Sequence, residues 1–97
     1  MGVIRSLVAA GAPIILTDHA QDRLLERDLD MADVLRGYRI GDIAGPITAG
    51  KNQEEWQCRI VTPVERTPPT KREIGIATIV VQASSLLIAT VRWEDKT

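Results

Sequence analysis

The order of signals along the chain predicts an α+β domain, with N-terminal helices packed on one face of a roughly four-stranded antiparallel sheet. Three observations carry that expectation. Apolar residues recur at helical spacing as far as Gly37, and from Arg39 onwards the runs are rich in β-branched residues instead. The last two of those runs are separated only by Ala83-Ser84-Ser85, which predicts a hairpin.

Taken in order, Val3, Ile4, Leu7 and Val8 predict a short first helix that Gly11 and Pro13 stop. Ile14 to Leu16 is an extended connector. Asp18 then stands as an N-cap with Gln21 three residues on, so HAQDRLLER, His19 to Arg27, reads as a helix. Asp30 is a second N-cap for a short helix, Ala32 to Arg36, with Gly37 as its stop. Arg39 to Ala44 is the expected first strand, and Gly45-Pro46 and Gly50-Lys51-Asn52 are turn signals. Glu55 to Thr62, Ile74 to Gln82 and Leu86 to Trp93 are the remaining strands. Pro63 to Arg72, with three prolines and four charges, reads as a long exposed loop. Strict alternation puts Trp56, Cys58 and Ile60 on one face and Gln57, Arg59 and Val61 on the other, and it groups Ile88, Thr90 and Arg92.

A chain of 97 residues, 44% hydrophobic, is long enough for a single domain (1–97) with one modest core. Without Phe, that interior must be filled by Leu, Ile and Val, because Trp56, Trp93 and Tyr38 are the only rings. A formal charge of −1 argues against a generally basic nucleic-acid coat but leaves room for a local basic site. The single Cys58 excludes an intramolecular disulfide, and no cysteine cluster offers a zinc site, which points to a reducing cytoplasm. The apolar start is broken at Gly11 and Pro13 and is too short for a membrane span or a convincing signal sequence.

The stretch with most chemistry in it is HAQDRLLER. His19, Arg23 and Arg27 fall four apart and share a stripe, while Ala20 and Leu24 lie beside it and can face a core. One imidazole and two guanidiniums on one face suit a phosphate, and an ordinary solvated helix offers the same pattern. Arg23 has Glu26 at i+3 and Arg27 has Asp30, so surface pairing is an equal reading. Arg92 has Glu94 and Asp95 close in sequence, Thr90 suits any strand, and Trp56 and Trp93 suit core or edge packing. Arg59, a charge between apolar neighbours, needs solvent or a partner. Cys58 reads as a small buried apolar side chain.

The run TDHAQDRLLERDLDMADVLRGYRIGDI, a Trp-x-Cys-Arg strand, then IATIVVQ and LLIATVRW resembles the family named domain of unknown function (DUF) 4258. That family is similar in turn to the RelE-like toxins and the wider barnase, EndoU, colicin and RelE group of ribonucleases. The resemblance runs from about Thr17 to Trp93 and rests on the His-Ala-x-x-Arg-x-x-x-Arg helix, the Asp-Val-Leu-x-Gly segment and the closing Thr-Val strand. Two departures stand out: Asp28 replaces the usual Gly after the second Arg, and the Pro63 to Arg72 loop is long.

The resemblance implies a RelE-like fold and a metal-independent endoribonuclease, the toxin of a toxin–antitoxin pair, in which the 2′-hydroxyl attacks the adjacent phosphate. It implies no cofactor. Such chemistry needs a base, an acid and cations for the phosphorane. His19 is the side chain whose ordinary range suits proton transfer near neutrality, and its place in a first helical turn puts free N–H groups close by. On this reading His19, Arg23, Arg59 and Thr90 are catalytic, and Arg27, Arg92 and Trp56 bind substrate. The implied partners are RNA, including ribosome-bound mRNA, and an acidic or partly disordered antitoxin; the apolar Val3 to Val8 segment adds homodimerisation. The alternative is a non-catalytic partner-binding or regulatory module on the same fold, which the near-neutral charge favours. A helix-turn-helix over Asp18 to Gly37 is weaker, since Asp30 and Asp33 stand where phosphate would approach.

Overall fold

The computed structural model describes residues 1–50, 55–64, 72–81 and 85–94. Among them the architecture is α+β, with three helices and a five-stranded mixed sheet. In chain order these are α1 (Gly2–Ala9), β1 (Ile14–Leu16), α2 (Asp18–Glu26), α3 (Met31–Ile40), β2 (Asp42–Ala49), β3 (Glu55–Pro63), β4 (Glu73–Val81) and β5 (Ser85–Trp93). The sheet order is β1-β5-β4-β3-β2. Four strands are antiparallel neighbours, and β4 and β5 form the expected pair. The expected connector Ile14 to Leu16 is instead a fifth strand, paired in parallel with β5. Three residues are too few to show a period, so only the neighbour reveals this strand.

All three helices lie on one face. Ile4 of α1, Ala20 and Leu24 of α2, and Val34 and Tyr38 of α3 share a core with Ile60, Ile74, Ile76, Val80, Leu86, Ile88 and Val91 of the sheet. Arg5 of α1 ties the layer together: its Nε donates to the Arg39 carbonyl at 3.0 Å and its Nη2 to the Gly41 carbonyl at 2.8 Å. A cation thus meets the carbonyl end of α3, where the helix dipole favours it.

Two helix boundaries differ from expectation. The N-cap of α2 is Thr17, not Asp18, because the Thr17 hydroxyl accepts from the Ala20 N–H at 3.0 Å, and Asp18 sits inside the first turn. The N-cap of α3 is Asp30 as expected, in a capping box with Asp33. That helix, however, runs through Gly37 to Ile40, so Arg39 and Ile40 are helical and β2 starts at Asp42. Gly37 is a packing residue rather than a stop: a Cβ there would lie 2.7 Å from Ile76 Cδ1 and 2.9 Å from Thr62 Cγ2. Asp28, which follows the second Arg of the α2 stripe, has a left-handed φ of 54°. Asp tolerates that region better than most side chains, which suits it to this turn.

The strands contain two irregularities that alternation does not show. Gly45-Pro46, expected as a turn, lies inside β2: three residues, Gly45 to Ile47, stand between Ala44 and Thr48 where Cys58 alone stands between Arg59 and Gln57 on β3. On β5, Thr90 pairs Ala77 while Ile88 pairs Thr78, so Ala89 is an extra residue. Beyond this bulge the faces switch: Leu86, Ile88 and Val91 are buried under the helices, and Thr90 and Arg92 turn the other way. The expected shared face of Ile88, Thr90 and Arg92 is therefore wrong, and only Thr90 and Arg92 stay together. Thr17 anchors the bulge. Its hydroxyl points at the Ile88 and Ala89 carbonyls at 3.2 and 3.1 Å, and its N–H donates to the Ile88 carbonyl at 3.2 Å.

The expected loop Pro63 to Arg72 is shorter than it reads. Pro63 ends β3, Val64 is buried, and the Val64 N–H donates to the Arg72 carbonyl at 3.2 Å, so the strand pair continues past the first proline. Residues 65–71, including Lys71, lie outside the described residues, as do the Lys51-Asn52 part of one turn signal, the Ala83-Ser84 part of the hairpin turn, and Gln82.

Candidate phosphate-binding site on the open sheet face

The face of the sheet opposite the helices carries the cations. Paired residues across strands share a face, so the register Ala44–Arg59–Ala77–Thr90 is one row running from β2 to β5. The next row is Asp42–Val61–Gly75–Arg92. Arg59, Gly75, Ala77, Thr90 and Arg92 line a concavity of about 230 Å³. Its floor is low because β4 contributes a glycine and an alanine, and its walls are two arginines and a hydroxyl. Three of the residues expected at a site, Arg59, Thr90 and Arg92, are thus brought together by the fold.

Glu94 completes the arrangement. Its Oε1 is 3.2 Å from Arg59 Nε, and the carboxyl group lies over Gly75, where a Cβ would come within 2.8 Å of Glu94 Cδ. A side chain on residue 75 would therefore push the carboxylate away. Neither Arg59 Nε nor Glu94 Oε1 has an aligned hydrogen bond among the described residues, although both atoms are shielded from solvent. The contact is an ion pair without good hydrogen-bond geometry, and it leaves directional capacity for a further partner. Proximity in sequence suggests Arg92 as the partner of Glu94. Arg59 takes that place because the strand register sets β3 beside the end of β5 across a glycine.

His19, Arg23 and Arg27 are elsewhere. They belong to α2, which packs its Ala20 and Leu24 against the helix-covered face, and β4 and β5 separate that helix from Arg59 on β3. Two strand spacings are about 10 Å, before the thickness of the sheet is added. His19 is exposed on the first turn of α2. Arg23 is paired with Glu26, the i+3 partner that the spacing offers. Arg27 Nη1 lies 3.8 Å from Glu26 as well, not beside Asp30. The stripe thus exists as a helical feature, but it does not share a cleft with Arg59 and Thr90.

Trp56 also faces away from the concavity. It pairs with Val80 and packs against the core from the helix side, so it offers no ring to a ligand on the open face. Trp93 packs on the core, and the Arg72 guanidinium, at the end of the expected exposed loop, stacks 3.8 Å from its ring centre. Cys58 is buried as expected, and burial pushes its thiol above the ordinary range. Behind the site, the Tyr38 hydroxyl meets Thr78 Oγ1 at 3.0 Å, and burial pushes its phenol up to about 12.

Sequence reasoning missed Glu94 as a site residue. A signal for it exists, since Arg59 needs a partner and Gly75 breaks an otherwise branched strand, but linking the two requires the register. Among the described residues no group of three or more His, Cys, Asp or Glu side chains is placed to hold a metal, and no helix is long and apolar enough to cross a membrane.

The fold and the open face define a two-layer α+β domain with a cation-walled concavity on its uncovered sheet surface. No family model, curated protein or solved structure matches the chain.

Proposed function

We propose that this protein is a small endoribonuclease of the RelE-like kind, the toxin of a toxin–antitoxin pair, whose phosphate site is the open-face concavity. The observation that supports this reading is the convergence of Arg59, Thr90 and Arg92 around one hollow on the face that, among the described residues, no helix covers. Forked guanidinium donors suit the non-bridging oxygens of a phosphodiester, and the Thr90 hydroxyl supplies a neutral donor beside them. As the 2′-oxygen bonds to phosphorus and the bond to the 5′-oxygen breaks, negative charge builds on the phosphorane, and the two guanidiniums stabilise it. Glu94, held against Arg59, accepts the 2′-hydroxyl proton, and water returns a proton to the leaving 5′-oxygen. The products are a cyclic phosphate and a free 5′-hydroxyl. In this proposal the reaction takes place in the cytoplasm, on free or ribosome-bound mRNA, without a metal. An acidic antitoxin segment silences it by covering the same arginines.

The test incubates RNA, with and without ribosomes, with wild type, Arg59→Ala and His19→Ala, and maps the cut ends. Arg59→Ala lowers the rate by about two to three orders of magnitude. His19→Ala leaves it unchanged, and so does EDTA. Intact RNA with folded wild-type protein overturns the enzyme. Loss of cleavage in His19→Ala returns the site to α2.

Two observations favour a second reading. Arg59 is already met by a carboxylate of its own chain, and the imidazole that would serve as acid or base lies on the other side of the sheet. A non-catalytic module that binds an anionic partner through the same concavity accommodates both facts.

A further inference from the structure

A second hollow adjoins the first. About 310 Å³ in volume, it is lined by Pro46, Thr48, Gln57, Ile79 and Ala89, and it shares Arg59 and Ala77 with the phosphate concavity. That volume lies at the small end of ligand-binding pockets. Both strand irregularities shape it. The bulge in β2 brings Pro46 to its rim, and the extra residue in β5 turns Ala89 into it beside Thr90. Thr48 and Gln57 are register partners, so their polar side chains stand together on the exposed wall. Cys58 and Thr78 also border it, and the rest of the lining is proline and aliphatic.

We infer that this hollow is a nucleobase pocket, which takes the unstacked base next to the phosphate held by Arg59 and Arg92. The inference rests on the phosphate assignment above and adds the subsite that would select sequence. Arg59 borders both hollows, so a ligand filling both has an apolar, flat part on one side of the guanidinium and an anion on the other. A nucleotide has that layout, with the ribose bridging the two. The chemistry of the wall fits the same occupant. Gln57 offers an amide that both donates and accepts, as the Watson–Crick edge of a base requires, and Thr48 adds a hydroxyl beside it. Ile79, Ala89 and Pro46 give apolar surface for the ring faces, in the manner of single-stranded RNA sites that hold splayed bases.

Amide NMR titration of the whole protein with inorganic phosphate, a nucleoside and a nucleoside 3′-monophosphate tests this. Phosphate is expected to move the signals of Arg59, Thr90 and Arg92, and the monophosphate to move those of Gln57 and Ile79 as well, with about tenfold tighter binding. Gln57→Ala, an exposed position, removes that increment and leaves the affinity for phosphate as it was; Ala89→Leu fills the hollow and does the same. Equal affinity for phosphate and the monophosphate overturns the base pocket and leaves the phosphate site standing. A response of Gln57 to the nucleoside with none at Arg59 to phosphate supports the pocket and overturns the phosphate site. Silence toward all three ligands overturns both.

Discussion

Glu94 Oε1 lies 3.2 Å from Arg59 Nε and reaches it across Gly75, the one position in that row of β4 with no side chain to obstruct it. The pair couples two otherwise separate facts, a charged residue in mid-strand and a glycine in a branched strand. It also makes Glu94 a competitor for any anion that Arg59 would bind. Glu94→Gln should tighten binding of inorganic phosphate by about two- to fivefold, the scale of a half-exposed ion pair, and the gain should shrink as salt is raised. Cleavage by the same variant should fall, because the proton acceptor is lost. Gly75→Ala should tighten binding similarly by pushing the carboxylate aside, with calorimetry as the readout. Weaker binding in both variants would mean that Glu94 positions Arg59 rather than competing for it.

Thr17 serves two elements at once. Its hydroxyl caps α2 through the Ala20 N–H and lies against the Ile88 and Ala89 carbonyls at the β5 bulge. Thr17→Ala should cost about 1–2 kcal/mol in denaturant unfolding, and Thr17→Ser should recover most of it. Because that bulge turns Thr90 and Arg92 to the open face, the alanine variant should also shift the amide signals of both residues. Unchanged signals there would separate the cap from the site.

Gly37 has no room for a methyl group. A Cβ at this position would stand less than 3 Å from both Ile76 Cδ1 and Thr62 Cγ2, so Gly37→Ala should lose about 1–3 kcal/mol, although alanine is the better helix former. A thermal midpoint equal to or above wild type would show that α3 can lift from β3 and β4 at little cost.

Tyr38 makes stability fall at alkaline pH. Its phenol is held neutral by burial, with a folded pKa of about 12 against an ordinary value of 10. The unfolded chain therefore loses this proton first, so the neutral phenol contributes its full stability below pH 10, and that contribution drains away as the pH rises toward 12. The loss should reach about 2–3 kcal/mol at pH 12. Tyr38→Phe should flatten this part of the stability profile, at the expense of the hydrogen bond to Thr78 at lower pH. A profile that keeps its slope in the phenylalanine variant would assign the alkaline loss to other groups.

The fold class, the presence of α1, α2 and α3, the Asp30 cap, three of the strands within a residue or two, and the burial of Cys58 are all legible in the chain alone. Each of these depends on neighbours a few positions away: helical spacing, alternation, a capping side chain. The residue types available for phosphate chemistry are legible in the same way, and so is the need of Arg59 for a partner. Which of those residues meet is a property of the folded molecule. His19, Arg23 and Arg27 stand on α2, which packs on the far face of the sheet, whereas Arg59, Thr90, Arg92 and Glu94 come together on the open one. The reasons are non-local. Strand order puts β4 between β3 and β5, a one-residue bulge at Ala89 reverses the faces of everything after it, and β1 exists only because β5 is there to pair with it. Alternation read along one strand has no access to a bulge that its partner strand and the Thr17 hydroxyl hold in place, since that hydroxyl lies 71 residues from Ile88 in the chain.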